Sequence, residues 1–388
     1  MRTINDHGAH SAPYGIPVRA GVAIRARPGN LAACYNPPRM PHVQIFPTTE
    51  RLLRLVDAMA GRPVVLLADL VADVFITGVP KRISREAPVL ILSFQDERLT
   101  PGGGANAVAN VAALGGRPLP LGMVGDDPHG QGLLRDLAGR GVPIEGIAVR
   151  PGYRTPTKVR ILGGGKHSIK QQIVRYDVEE TLTLTDEERG RFSDLLARWA
   201  GEAKVAILSD YGYGAVEPGM LPQVRAALGK EATLLADSRY RLGEFLGLDG
   251  ATPNEEEAEA LLGASINDDP DRLEKAGRHL RESLKARFLL ITRGSRGMSL
   301  FRPELSAHLP VSGTDQVADV TGAGDTVIGT FALALAAGAD PVEAALLANY
   351  AGGVVVMKMG TATCSPEELK RAVQGDPRPL KELRWGLS

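Results

Sequence analysis

The chain reads as an α/β protein with one mostly parallel central sheet flanked by helices and a small antiparallel β lid. Three observations predict this. From Pro63 onward, short β-branched runs alternate with amphipathic or Ala-rich segments. Several of the runs end in Asp or Thr, placing polar groups at the strand ends where open α/β sheets bind ligands. Two stretches break the rhythm by alternating apolar and polar residues.

The buried strands expected are "PVVLLAD" (63–69), "LPLGMVG" (119–125), "KVAILSD" (204–210), "ATLLAD" (232–237) and "RFLLIT" (287–292). Between and after them, "ANAVANVAALG" (105–115), "GQGLLRDLAGRG" (130–141), "TDEERGRFSDLLARWAG" (185–201), "DRLEKAGRHLRESLK" (271–285) and "PVEAALLANYAGGVVVMKMG" (341–360) carry helical patterns. Thr185 is an N-cap type, and Asp186, Glu187 and Glu188 put acids in the following turn, where the helix dipole favours them. The exceptions, "PVLILSFQDERLT" (88–100) and "TKVRILGGGKHSIKQQIVRYDVE" (157–179), predict the lid, over about residues 75–100 and 155–178. Its exposed edge needs covering, so it is expected to close the crevice or to join two copies as a homodimer.

Composition bounds the function. Of 388 residues, 44% are apolar and 23% charged, which is enough to build a core. Lys plus Arg equals Asp plus Glu at 45 each, giving no net field for nucleic acid or an anionic membrane. No run approaches the roughly 20 apolar residues of a membrane span. Cys34 and Cys364 lie far apart without metal-ligand neighbours, which suits a reducing cytoplasm. The first 43 residues have five arginines, one acid, and many Gly and Pro. They read as a disordered leader, an over-extended start with Met40 as the true one, or, less well because Ser is scarce, a transit peptide. The expected layout is therefore a leader (1–43), one main domain (44–376) and a C-terminal tail (377–388).

Two glycine-rich segments carry candidate chemistry. In "DVTGAGDT" (319–326), Gly322 and Gly324 free consecutive backbone N–H groups to converge on an anion at the start of the apolar run "VIGTFALALAAG". Asp325 then reads either as a helix cap or as a base taking a proton from an attacking hydroxyl. In "PGGGANAVANVAALGG" (101–116), Gly102, Gly103 and Gly104 open a helix. Asn106 and Asn110 lie one turn apart on it, placed for sugar hydroxyls or for close helix packing.

Taken with "TPNEEEAE" (252–259), these segments resemble the ribokinase-like, or PfkB-type, carbohydrate kinases, over about residues 63–374. The resemblance implies a ribokinase-like fold and an ATP- and Mg²⁺-dependent sugar kinase, with a monovalent cation as a further candidate. It makes Asp325 the base and the backbone of Gly322, Ala323, Gly324 and Asp325 the anion hole. It assigns Asn254 and Glu257 to Mg²⁺ and the ATP phosphates, through water. It places Thr292, Gly294, Gly297 and Asn349 at the nucleotide.

Within that family, "RISREAPV" (82–89), "SDYGYGAV" (209–216) and "AGGVVVMKMGTATCSPEEL" (351–369) are similar to the kinases that phosphorylate O1 of D-glycero-β-D-manno-heptose 7-phosphate in ADP-heptose synthesis. That similarity implies Asp73, Gly103, Asn106, Asn110 and Asp210 at the sugar, with Lys158, Arg160 and Arg175 as cations for its phosphate. Three departures leave the acceptor open: Ala68-Asp69 for the family's "GD", "DSRY" (237–240) for "DPKG", and "YGYG" (211–214) for "YAKG". The alternatives are a kinase of an unphosphorylated sugar or nucleoside, such as ribose, fructose or adenosine, and a catalytically silent binding protein. The histidine-x-glycine-histidine motif of bifunctional relatives has only a near miss, "HGAH" (7–10). A separate nucleotidyltransferase is expected to complete any such pathway.

Overall fold

The computed structural model describes residues 47–165, 170–313 and 317–387. The expected leader, with Cys34 and "HGAH", and residues 166–169 of the Gly-rich turn lie outside the described residues. In chain order the strands are β1 (Pro63–Ala68), β2 (Leu70–Ile83), β3 (Leu90–Gly103), β4 (Arg117–Gly125), β5 (Ile147–Arg150), β6 (Thr157–Gly163), β7 (Gln171–Val178), β8 (Val205–Asp210), β9 (Thr233–Ser238), β10 (Gly250–Ala251), β11 (Phe288–Thr292), β12 (Met298–Phe301), β13 (Leu305–Leu309) and β14 (Arg384–Leu387). The helices are α1 (Thr49–Ala58), α2 (Gly104–Ala113), α3 (Pro128–Gly139), α4 (Asp186–Trp199), α5 (Leu221–Leu228), α6 (Glu255–Leu262), α7 (Pro270–Ser283), α8 (Ala323–Ala336), α9 (Pro341–Val355), α10 (Pro366–Gly375) and α11 (Arg378–Lys381).

Ten strands form the main sheet in the order β14-β13-β12-β11-β10-β9-β8-β1-β4-β5. From β5 to β11 all pairings are parallel, and from β11 to β14 they are antiparallel. Alternate residues of β1 face opposite layers: Val64, Leu66 and Ala68 pack with α2, α8 and α9, whereas Val65 and Leu67 pack with α4 and α5. Burial on both faces explains why the central strands read as continuous apolar runs. α8 is apolar all round and buried from Asp325 to Ala334, so packing rather than a polar face holds it in place.

Residues 377–388, expected as a tail, instead supply α11 and the edge strand β14, whose Trp385 pairs with Ala307. Four residues are too few to show a strand period, so this element comes from the unpaired edge of β13 rather than from a local pattern.

The second sheet runs β3-β2-β6-β7. Its two outer pairs are antiparallel, and the central pair, β2 with β6, is parallel. Both central strands leave the main sheet from one base, Ala72 lying beside Thr157. β2 begins at Leu70, so Asp73, expected at the sugar, lies on the lid. Register puts Asp73 and Phe75 opposite Thr100 and Arg98 on one side, and beside Lys158 and Arg160 on the other. These residues share one face of the lid.

Candidate active site

The site forms where α8 begins. Gly322 caps it with φ +76°, the left-handed region that glycine enters at little cost. A Cβ there would lie 2.3 Å from Asn106 Nδ2, so the glycine also makes room for that amide. Ala323 N–H is spent on Val320 O at 3.2 Å. That narrows the expected anion hole towards Gly324 and Asp325, whose N–H groups belong to the first turn that a helix leaves unpartnered. The position a Gly324 side chain would take is open space.

Asp325 is 4% exposed and held from two sides. Tyr211 donates its hydroxyl to Oδ1 at 2.6 Å, and Asn106 Nδ2 donates to Oδ2 at 3.0 Å and to Gly322 O at 3.1 Å. Burial raises the carboxyl to about 7; the two donors lower it, Asp73 raises it and Lys158 lowers it. Burial and the Asp325 charge push the Tyr211 phenol well above its ordinary value, so it stays a donor at neutral pH. An acid poised near neutrality beside free N–H donors can accept a proton while negative charge gathers next to it.

Asn110, expected beside Asn106 as a second sugar-facing amide, is fully buried. Its Nδ2 donates to Asn106 O at 3.0 Å and to Asn106 Oδ1 at 3.1 Å. The two amides act in series, and only Asn106 reaches Asp325. The glycines at the start of α2 make room for protein atoms: added Cβ atoms at Gly102, Gly103 and Gly104 would strike Asp73 Oδ2 (2.5 Å), Val71 Cγ2 (2.8 Å) and Ala68 Cβ (2.6 Å).

The lid cations separate into two kinds. Arg160 is buried, pairs with Asp73 Oδ1 at 2.6 Å and stacks 5.2 Å from the Phe75 ring centroid. Arg175 pairs with Asp177 at 2.9 Å. Lys158 forms no ion pair among the described residues; its Nζ lies 5.6 Å from the Tyr211 ring centroid. Burial and then the nearby Arg239 charge lower its pKa. Asp73 is 3% exposed and raised by burial against the pull of Arg160. Asp210 is committed elsewhere: Oδ1 takes Gly212 N (3.0 Å) and Arg241 (2.5 Å), and Oδ2 takes Ser238 Oγ (2.6 Å). It is 1% exposed, so it orders the loop below the site and offers no free oxygen to a sugar.

On the other side of Asp325, Asn254 and Glu257 form a capping box: Asn254 Oδ1 accepts from Glu257 N (2.8 Å), and Glu257 Oε2 accepts from Asn254 N (2.9 Å). Thr292 forms a parallel bridge with Asn254, bringing the ends of β11 and the β10–α6 loop together. Gly294 (φ +54°) and Gly297 (φ +81°) bracket the turn into β12. Gly297 is required there because a Cβ would lie 2.0 Å from Leu309 O. Asn349 is buried and ties Pro310 O to α9 at 2.7 Å.

Four residues that matter here were missed in sequence. Tyr211 lay inside the quoted "SDYGYGAV", which was the available signal. Asp69 accepts the N–H groups of Tyr211, Tyr213 and Ala215, each at 2.9 Å, and so shapes the loop that delivers Tyr211. Burial raises Asp69 to about 6 against those three bonds. Asp237, at the end of β9, is pushed well up by burial and by the Glu257 and Asp325 charges. Arg239 follows it, its N–H donating to Asp210 O at 3.1 Å, and restores a cation where "DPKG" has lysine.

A buried carboxylate beside a glycine-opened helix start, at the C-terminal edge of a doubly covered parallel sheet, defines a phosphotransferase of the sugar-kinase class. The chain belongs to the pfkB family of carbohydrate kinases, whose model matches residues 75–368. It is similar to proteins named Bifunctional protein HldE: 39% identical over 331 residues to that of Mesorhizobium japonicum, covering 84% of this chain and 65% of the relative. The Halorhodospira halophila protein is 40% identical over 322 residues, covering 81% and 64%. The chain thus spans a little under two thirds of those curated relatives. Among solved structures, Escherichia coli phosphofructokinase-2 in complex with substrates and products has a TM-score of 0.66 at 21% identity, over 81% of this chain and 99% of that one. Arabidopsis thaliana ribokinase complexed with ribose and ATP has 0.64 at 22%, over the same shares. These likenesses establish the ribokinase-like fold.

Proposed function

We propose that the protein transfers the γ-phosphoryl group of ATP to a hydroxyl of a phosphorylated sugar, with O1 of D-glycero-β-D-manno-heptose 7-phosphate as the leading acceptor. The observation that carries the mechanism is Asp325, fixed between Tyr211 and Asn106 beside the open first turn of α8. Asp325 accepts the acceptor hydroxyl's proton as its oxygen bonds to the γ-phosphorus and the bond to the β-phosphate oxygen breaks. The N–H groups of Gly324 and Asp325 face the charge on the moving group.

The residues fit a divalent cation: burial and the Glu257 charge raise Asp237, and burial raises Glu257, so both carboxylates favour a counter-charge. Asn254 and Glu257 would hold Mg²⁺ through water, and it would supply neutralisation of phosphate charge. The lid, by closing, would exclude water and so limit ATP hydrolysis. Its outer segments expose Phe94 (64%), Ile83 (58%) and Tyr176 (50%), apolar surface suited to a second copy of the lid.

Support for a phosphorylated acceptor comes from Lys158, over the Tyr211 ring, and Arg239, over the Tyr240 ring, which form no ion pair among the described residues. One observation favours the second reading, a neutral sugar or nucleoside: Arg160 and Arg175, expected to meet that phosphate, are already paired with Asp73 and Asp177. ATP consumption with Mg²⁺ against the heptose 7-phosphate, fructose 6-phosphate, ribose, fructose and adenosine decides between them. Fast turnover of the heptose phosphate alone supports the proposal, and turnover of a neutral acceptor alone overturns it.

A further inference from the structure

The polarity of the amide chain behind Asp325 is fixed from its far end. Asn106 O accepts only, so Asn110 must turn its Nδ2 towards it, and the same NH₂ group then reaches Asn106 Oδ1 at 3.1 Å. With Oδ1 so used, Asn106 presents Nδ2 to two further acceptors, Gly322 O and Asp325 Oδ2. A reversed Asn106 amide would set its carbonyl oxygen against both, with no donor left for the carboxylate on that side. Asn110 also keeps a fully buried Oδ1 with no partner among the described residues, a cost that packing alone would avoid by placing an apolar residue there.

We infer that Asn110 is a positioning residue for the reaction, acting through Asn106 to fix which end of that amide meets Asp325. This rests on the reading of Asp325 as the base. It replaces the expectation that Asn110 binds sugar, because the side chain has no surface to offer. The groups facing Asp325 are Tyr211 from the loop after β8, Asn106 from α2, Asp73 from β2, Lys158 from β6 and Asp237 from β9. Of these, Asn106 is the one whose orientation depends on Asn110.

The test compares Asn110→Leu and the smaller Asn110→Ser with wild type, using Thr330→Val as a control at another buried polar group without a partner. Two readouts are taken on the full chain: steady-state kinetics, and the carboxyl titration of Asp325 followed by carbon-13 NMR without substrates. Positioning predicts that kcat falls at least about tenfold, with both KM values within about twofold. It also predicts that Asp325 titrates at higher pH, since its ionised form loses a fixed donor. The control should leave both readouts unchanged. A rise in acceptor KM at constant kcat would restore Asn110 as a sugar ligand, and an unmoved Asp325 titration in a folded variant would make any loss merely structural. If Asp325→Asn itself leaves turnover intact, the base reading fails, while the NMR titration still decides whether Asn110 acts on Asp325.

Discussion

The Tyr211 hydroxyl lies 2.6 Å from Asp325 Oδ1, joining the loop after β8 to the first turn of α8 across 114 positions of sequence. Asp69 secures this contact from below by binding the Tyr211 N–H, so two acids that never touch cooperate on one tyrosine. The geometry sets the protonation of the site.

Removing that donor shifts the working pH. Tyr211 lowers the Asp325 carboxyl, so Tyr211→Phe should raise it above its value of about 7. Since the base must be ionised, the acid limb of kcat against pH moves to higher pH, and activity at pH 7 falls more than at pH 9. A pH profile of both proteins checks this; coincident limbs would remove Tyr211 from the protonation of the site.

Stability should respond with the opposite sign from an ordinary salt-bridged carboxylate. The folded pKa of Asp325 lies above its unfolded value, so the native state holds the proton more tightly, and stability is lost as pH rises from about 4 to about 7. Asp325→Asn avoids this loss, by at most about 4 kcal/mol. Melting curves should therefore nearly coincide at pH 4, with the variant melting higher at pH 8.

The cations that form no ion pair among the described residues should matter to the acceptor. Lys158→Met and Arg239→Met are each expected to raise KM for a phosphorylated sugar by tenfold or more, charge-assisted bonds to phosphate being worth about 1.5–3 kcal/mol. Turnover of a neutral sugar should change little. Equal effects on both acceptors would place these cations on ATP instead.

The lid carries a separate expectation. Phe94 is 64% exposed on β3, and Phe94→Asp should shift light-scattering mass from dimer to monomer without lowering the melting temperature. A wild-type monomer at micromolar concentration would remove the lid as an interface.

Much of the sheet was legible in sequence because strands buried on both faces are continuous apolar runs, as "PVVLLA" and "VAILSD" show. The lid was legible through alternation, but its parallel centre was not, because register between β2 and β6 is set where both strands leave the main sheet. Asp325 stood out through its glycines. Asn110 could not be told apart from Asn106 in sequence, because spacing reports which residues share a helix face and not which of them reaches the surface. Arg160 and Asp210 are charges whose partners, Asp73 and Arg241, are respectively 87 and 31 residues away. Such pairings leave no local pattern. The capping box of Asn254 and Glu257 could have been read directly, since it has the spacing of a helix start.

The most direct test is single-turnover phosphoryl transfer by Asp325→Asn, with ATP affinity measured on the same protein by calorimetry. The account predicts ATP binding within about threefold of wild type and transfer slower by about a hundredfold to ten-thousandfold. Transfer at more than a tenth of the wild-type rate, with ATP bound normally, would contradict it.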